Sequence, residues 1–185
     1  MNWQEYRVLS EKTMSSEFFC SKKEEILLHA VMGILTEVEE LLDNHSEEND
    51  ADDVNRAEEI GDILWYLAII AREYNLEYPQ LLVRDKNSDP MSIVIKLIKN
   101  TCKLLDMMKK KLYYNKEINE ESFIAITKII MLHISDYCNY FDVPVEQTFD
   151  VNIEKLRARY GEKFSTDRAI NRNLEVERNI LEGKN

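Results

Sequence analysis

Ile26-Leu27-Leu28-His29-Ala30-Val31-Met32-Gly33-Ile34-Leu35-Thr36-Glu37-Val38-Glu39-Glu40-Leu41-Leu42 carries its apolar residues at 26, 27, 30, 31, 34, 35, 38, 41 and 42. That is the i, i+3, i+4, i+7 spacing of one helix face. Ser21, with Glu24 three residues on, predicts a capping box at the start. The helix gives out in the polar stretch from Asn44 to Asp53. The same spacing returns in Ala57, Ile60, Ile63, Leu64, Leu67, Ala68 and Ala71, predicting a second helix from about Val54 to Tyr74.

Beyond a linker at residues 78–90, helices are predicted over Met91–Tyr114, Glu120–Phe141, Val145–Tyr160 and Thr166–Leu181. Another is predicted near Trp3–Glu11. No stretch alternates in the manner of a strand. Only 4 glycines and 3 prolines occur in 185 residues, too few for the turns of a sandwich or barrel. The expected fold is all-α: a single domain over 1–185 built as an antiparallel helical bundle.

Glu39-Glu40-Leu41-Leu42-Asp43 resembles Cys102-Lys103-Leu104-Leu105-Asp106, and each precedes a polar loop and a second long helix. This suggests a tandem, pseudo-dimeric pair of hairpins, 21–77 and 91–144. The second would run on to residue 165, and 166–185 would form a C-terminal helix. Its charge pattern suits an exposed or partner-bridging helix.

The net charge of −11 argues against a nucleic-acid polymer as partner. The three cysteines, Cys20, Cys102 and Cys138, offer neither disulfide framework nor zinc spacing. The longest apolar run, Ile63–Ala71, falls far short of the roughly 20 residues that span a bilayer. Met1 to Lys12 has no apolar signal core. A soluble cytoplasmic protein is expected.

Chemistry concentrates in the first hairpin. Glu37 and Glu40 stand three apart on one helix, and Glu59 and Asp62 three apart on the next. At about 100° per residue, each pair lies roughly −100° and −160° from the middle of its apolar stripe, marked by Val38 and Ile60. Four carboxylates therefore converge at one edge if the hairpin packs on those stripes. One reading of such residues is a solvated acidic face. The other is a cation site, whose hard oxygen donors select Mg²⁺, Mn²⁺ or Ca²⁺.

The pattern Glu37-x-x-Glu40, 18 residues, Glu59-x-x-Asp62 resembles the signature of the MazG-like all-α nucleoside triphosphate pyrophosphohydrolases. The flanking Glu58-Glu59-Ile60-Gly61-Asp62-Ile63-Leu64-Trp65-Tyr66-Leu67 is similar to the second metal-binding helix of that family. Asn152-Ile153-Glu154-Lys155-Leu156-Arg157-Ala158-Arg159-Tyr160 is similar to its Asn-x-x-Lys-Leu-x-x-Arg-Tyr segment. The resemblance covers roughly 21–77 and 145–165.

It implies hydrolysis of a nucleoside triphosphate, or a related phosphorylated nucleotide, to the monophosphate and pyrophosphate. It implies Mg²⁺, with Mn²⁺ as alternative, on Glu37, Glu40, Glu59 and Asp62, and phosphates held by Asn152, Lys155 and Arg159. Glu40 would serve as the general base. The second hairpin would carry no metal site, since Asn100, Lys103, Ile126 and Ile129 stand at the matching positions. The match to Asn152 in the first copy falls near Asp85.

Tyr66 lies on the acidic side of its helix and is the better base-stacking candidate; Trp65 is expected in the core. His29 is read either as packed or as a base or sugar ligand. Trp3 and Tyr6 could cover the pocket. Lys109, Lys110 and Lys111 either face phosphates or form a solvated helix end. A homodimer is the preferred assembly. Two rival readings are a nucleotide-binding protein that sequesters or senses without cleaving, and a structural acidic helical adaptor.

Overall fold

A computed structural model of the chain describes residues 2–12, 14–46, 52–78, 89–161 and 163–184. The linker at 79–88, with Asp85, and the polar stretch at 47–51 lie outside the described residues. Eight helices appear among the described residues: α1 (Trp3–Glu11), α2 (Lys22–Ser46), α3 (Asp53–Tyr74), α4 (Pro90–Tyr114), α5 (Glu120–Tyr140), α6 (Val145–Tyr160), α7 (Thr166–Ile170) and α8 (Leu174–Leu181). The protein is an all-α bundle.

Local chemistry sets the helix ends. At the start of α2, Glu24 accepts from the Ser21 backbone N–H at 2.9 Å and the Glu24 N–H donates to the Ser21 hydroxyl at 3.4 Å, the two halves of the capping box. Asp89 caps α4 by accepting from the Ser92 N–H at 2.9 Å, with Pro90 at the first helical position, where its missing N–H costs nothing. Asn75 and Asn115 end α3 and α4 in the left-handed conformation, each with φ 50°.

The core is one apolar cluster drawn from α2 to α5 and the start of α6. α2 supplies Leu27, Ala30, Val31, Ile34, Val38 and Leu41; α3 supplies Ile60, Ile63, Leu64, Leu67 and Ile70. Ala68, expected on the α3 stripe, is exposed, and Ile70 takes its place. α2 packs against both α3 and α4, α5 packs on α4 and α3, and α6 lies along α3. At one end the Lys23 ammonium stands 4.4 Å from the Tyr74 ring centroid and 2.6 Å from Glu120, joining the start of α2 to the end of α3 and the start of α5.

The C-terminal segment departs from the single helix expected over 166–181. It breaks between α7 and α8 at Asn171-Arg172-Asn173. The Asn173 side chain accepts from the Val176 N–H at 3.2 Å and starts a new helix, as a capping asparagine does in preference to sitting mid-helix. Nor is this segment simply an exposed face. Glu177 is buried against Arg159 and Arg172. Arg178 reaches the α3 N-cap, Asp52, at 2.6 Å. No helix among the described residues is long and apolar enough to cross a membrane.

Candidate active site

Two glycines let the site form. A Cβ on Gly33 would clash with the Tyr66 ring, so only glycine lets that ring approach α2 so closely. A Cβ on Gly61 would come within 3.0 Å of the Asn152 amide, so this glycine lets α6 approach α3. With the helices so placed, Glu37, Glu40 and Glu59 each offer a carboxylate oxygen within 4.8 Å of the others. The matching offsets on α2 and α3 thus produce convergence.

Burial and mutual repulsion act together here. Glu37 is pushed up to about 7, first by burial, then by Asp62 and Glu40. Glu59, more deeply buried, is pushed up to about 9 by burial and by Glu40, Glu37 and Glu58. A hydrogen bond links the two carboxyls, which requires a shared proton when no cation is present. Exposed Glu40 is raised more modestly, by burial first, then Glu39, Asp62 and Glu58, with Arg172 opposing. The donors are all hard carboxylate oxygens at chelating separation, which fits Mg²⁺ or Mn²⁺.

Asp62 is placed differently from its three companions. Lys155, with no solvent exposure, binds its two oxygens at 2.9 and 2.7 Å and reaches Glu58 at 3.1 Å. The Asn152 amide donates to Asp62 at 2.6 Å. Expected as phosphate ligands, Asn152 and Lys155 instead stand behind Asp62, outside the cavity lining. The reason is electrostatic: a buried ammonium needs a carboxylate partner, and Asp62 and Glu58 are the nearest.

The cluster opens into a cavity of about 830 Å³. Glu37, Glu40, Glu58, Glu59 and Asp62 form its acidic side. Arg157 and Arg159 of α6, with Lys163 and Arg172 beyond it, add positive charge to the same lining, and His29, Trp65, Tyr66, Tyr160 and Phe164 supply rings. Arg159 lines the cavity but is clamped on Glu177 at 2.9 and 2.5 Å.

His29 is exposed on the lining, its ring 5.5 Å from that of Tyr66. Trp65, expected in the core, is half-buried on the cavity wall, because Ile63, Leu64 and Leu67 fill the stripe. Trp3 and Tyr6 stack on each other, exposed, and neither lines the cavity. Lys109 and Lys110 pair with Asp106 and Lys111 with Glu117, away from the site, so the solvated helix end describes them. In the second hairpin the Lys103 ammonium donates to Asn100 at 3.0 Å, Ile126 is half-buried and Ile129 is exposed.

Sequence reasoning missed Arg157, Lys163 and Arg172. For Arg157 a signal existed, since it falls inside the Asn-x-x-Lys segment. For Arg172 none did, since its place depends on the α7–α8 break. Compared with protein-family models, curated proteins and solved structures, the chain matches none.

Proposed function

We propose that the protein is a Mg²⁺-dependent nucleoside triphosphate pyrophosphohydrolase of the MazG-like kind, releasing a nucleoside monophosphate and pyrophosphate. One observation carries the reading: a single cavity lined by converging carboxylates from α2 and α3 and by arginine and lysine from α6 onward. A metal–polyphosphate complex has that charge pattern, cation toward the acids and phosphate oxygens toward the bases. An acidic helical adaptor has no use for it.

When bound, Mg²⁺ supplies neutralisation of phosphate charge and a water of lowered pKa. Glu37, Glu40 and Glu59 would hold it, with Asp62 at the rim. Glu40 is the exposed member of the carboxylate cluster and is raised in pKa by burial first, so it would take the proton of an attacking water. The water oxygen bonds to phosphorus in line as the α–β bridging oxygen leaves with pyrophosphate. Asn152 and Lys155 act through Asp62, fixing its orientation and offsetting its charge. Tyr66, with His29 and Trp65 beside it, gives a ring surface for the base. The tandem reading fits this division of labour, with acids from α2–α3 and bases from α6 onward.

The Lys155–Asp62 pair favours a second reading, in which a nucleotide is bound without cleavage, because it withdraws one carboxylate from the cluster. Product formation separates the two. Canonical (d)NTPs and dUTP, incubated with Mg²⁺ at high protein concentration, should yield monophosphate and pyrophosphate. A nucleotide that raises thermal stability yet remains intact establishes the binding protein instead.

A further inference from the structure

Arg159 is the arginine that the resemblance assigns to phosphate, yet its side chain is only 11% exposed. Its Nε and Nη2 are both spent on Glu177. Arg172 shares that carboxylate, its Nε and Nη2 donating to one oxygen at 3.2 and 2.7 Å, but it is 37% exposed, so its remaining N–H groups can reach a ligand. It also stands 3.7 Å from Glu58, on the acidic wall. Two guanidiniums share one buried carboxylate, and Arg172 is the more exposed of the two on the cavity lining.

Resting on the pyrophosphohydrolase reading for its ligand, we propose that Arg172 is the phosphate-binding arginine of this site and that Glu177 is the positioning residue that aims it. Arg159 is then the buried bracket that fixes Glu177. The α7–α8 break has a purpose in this arrangement. Asn173 caps α8, and the turn just before it points Arg172 at the cavity. A continuous helix over 166–181 would not present the residue in this way. Lys155, shared with Asp62, also reaches Glu58 from within at 3.1 Å, so Glu58 keeps a cation neighbour when Arg172 engages an anion.

The test measures binding of inorganic pyrophosphate, with Mg²⁺ present, by titration calorimetry on the full chain. Arg172→Ala should weaken binding about tenfold, the cost of one charge-assisted contact. Arg172→Lys should recover only part of the loss, because an ammonium lacks the guanidinium fork. Glu177→Gln, checked for native helicity, should also weaken binding several-fold and should raise KM more than it lowers kcat. Arg7→Ala, a charge-matched change on α1, should bind as wild type does. Wild-type affinity in a folded Arg172→Ala or Arg172→Lys protein overturns the proposal, as does a wild type that binds no pyrophosphate. Arg172-dependent binding without any nucleotide hydrolysis upholds this assignment and defeats the hydrolase reading. Hydrolysis indifferent to Arg172 does the reverse.

Discussion

Replacing Glu59 by glutamine should change how the metal-free protein responds to pH. Glu59 is buried, and its carboxyl is pushed up to about 9 by burial and by Glu40, Glu37 and Glu58. In an unfolded chain a glutamate titrates near 4.3. Below that pH both states hold the proton and the site has no effect on stability. Above it the unfolded chain releases the proton while the folded chain keeps it, so stability falls as pH rises. One retained proton gives a slope of up to about 1.4 kcal/mol per pH unit, continuing until the folded pKa is reached. From about pH 7 to about pH 8.5 the loss is about 2 kcal/mol, or about 4–8 °C in Tm for a chain of this size. Glutamine keeps the neutral shape and cannot titrate, so Glu59→Gln should be flatter across this window by that amount. Titrating groups away from the carboxylate cluster are common to both proteins and cancel in the comparison, whereas the linked Glu37 carboxyl changes with Glu59. Thermal melts by circular dichroism in a chelator-containing buffer provide the assay. Parallel pH profiles for wild type and Glu59→Gln would refute the claim that crowded carboxyls hold a proton here.

Further outcomes follow from the same geometry. At about pH 8, Mg²⁺ at about 100 times its Kd should stabilise the wild type by about 2.7 kcal/mol, with proton release seen in a weakly buffered solution; Glu59→Gln should show little of either. Lys155→Met leaves Asp62 and Glu58 without their buried cation and should lower stability by about 3 kcal/mol in urea unfolding. Gly33→Ala puts a methyl group where the Tyr66 ring lies, so it should cost about 1–3 kcal/mol and weaken nucleotide binding. Asn173→Ala removes the α8 cap and should cost about 1 kcal/mol.

The parts of the molecule legible in the sequence are those governed by short-range periodicity. The α2 and α3 stripes, centred on Val38 and Ile60, give the hairpin and its packing face. Because Glu37 and Glu59 have the same offset from those stripes, their meeting follows from helix geometry alone. The Ser21 capping box and the helix-ending Asn75 are equally local. What escaped depends on contacts distant in sequence. Lys155 reads as a phosphate ligand until α6 is laid against Gly61, which buries its ammonium on Asp62. Asn171-Arg172-Asn173 reads as polar helix surface, and only the Val176 N–H taken by Asn173 shows where the chain turns. Trp65 has the size of a core residue, but its angle on α3 takes it to the cavity wall.

We propose that the converging carboxylates and the bases lining the same cavity hydrolyse a nucleoside triphosphate. Incubating wild type and Glu40→Ala with the canonical NTPs, dNTPs and dUTP in Mg²⁺, with separate readouts for pyrophosphate and orthophosphate, tests it most directly. The wild type should release pyrophosphate, with none formed without Mg²⁺ and none by a Glu40→Ala protein of native helicity. No pyrophosphate from any substrate, or equal amounts from both proteins, would contradict it.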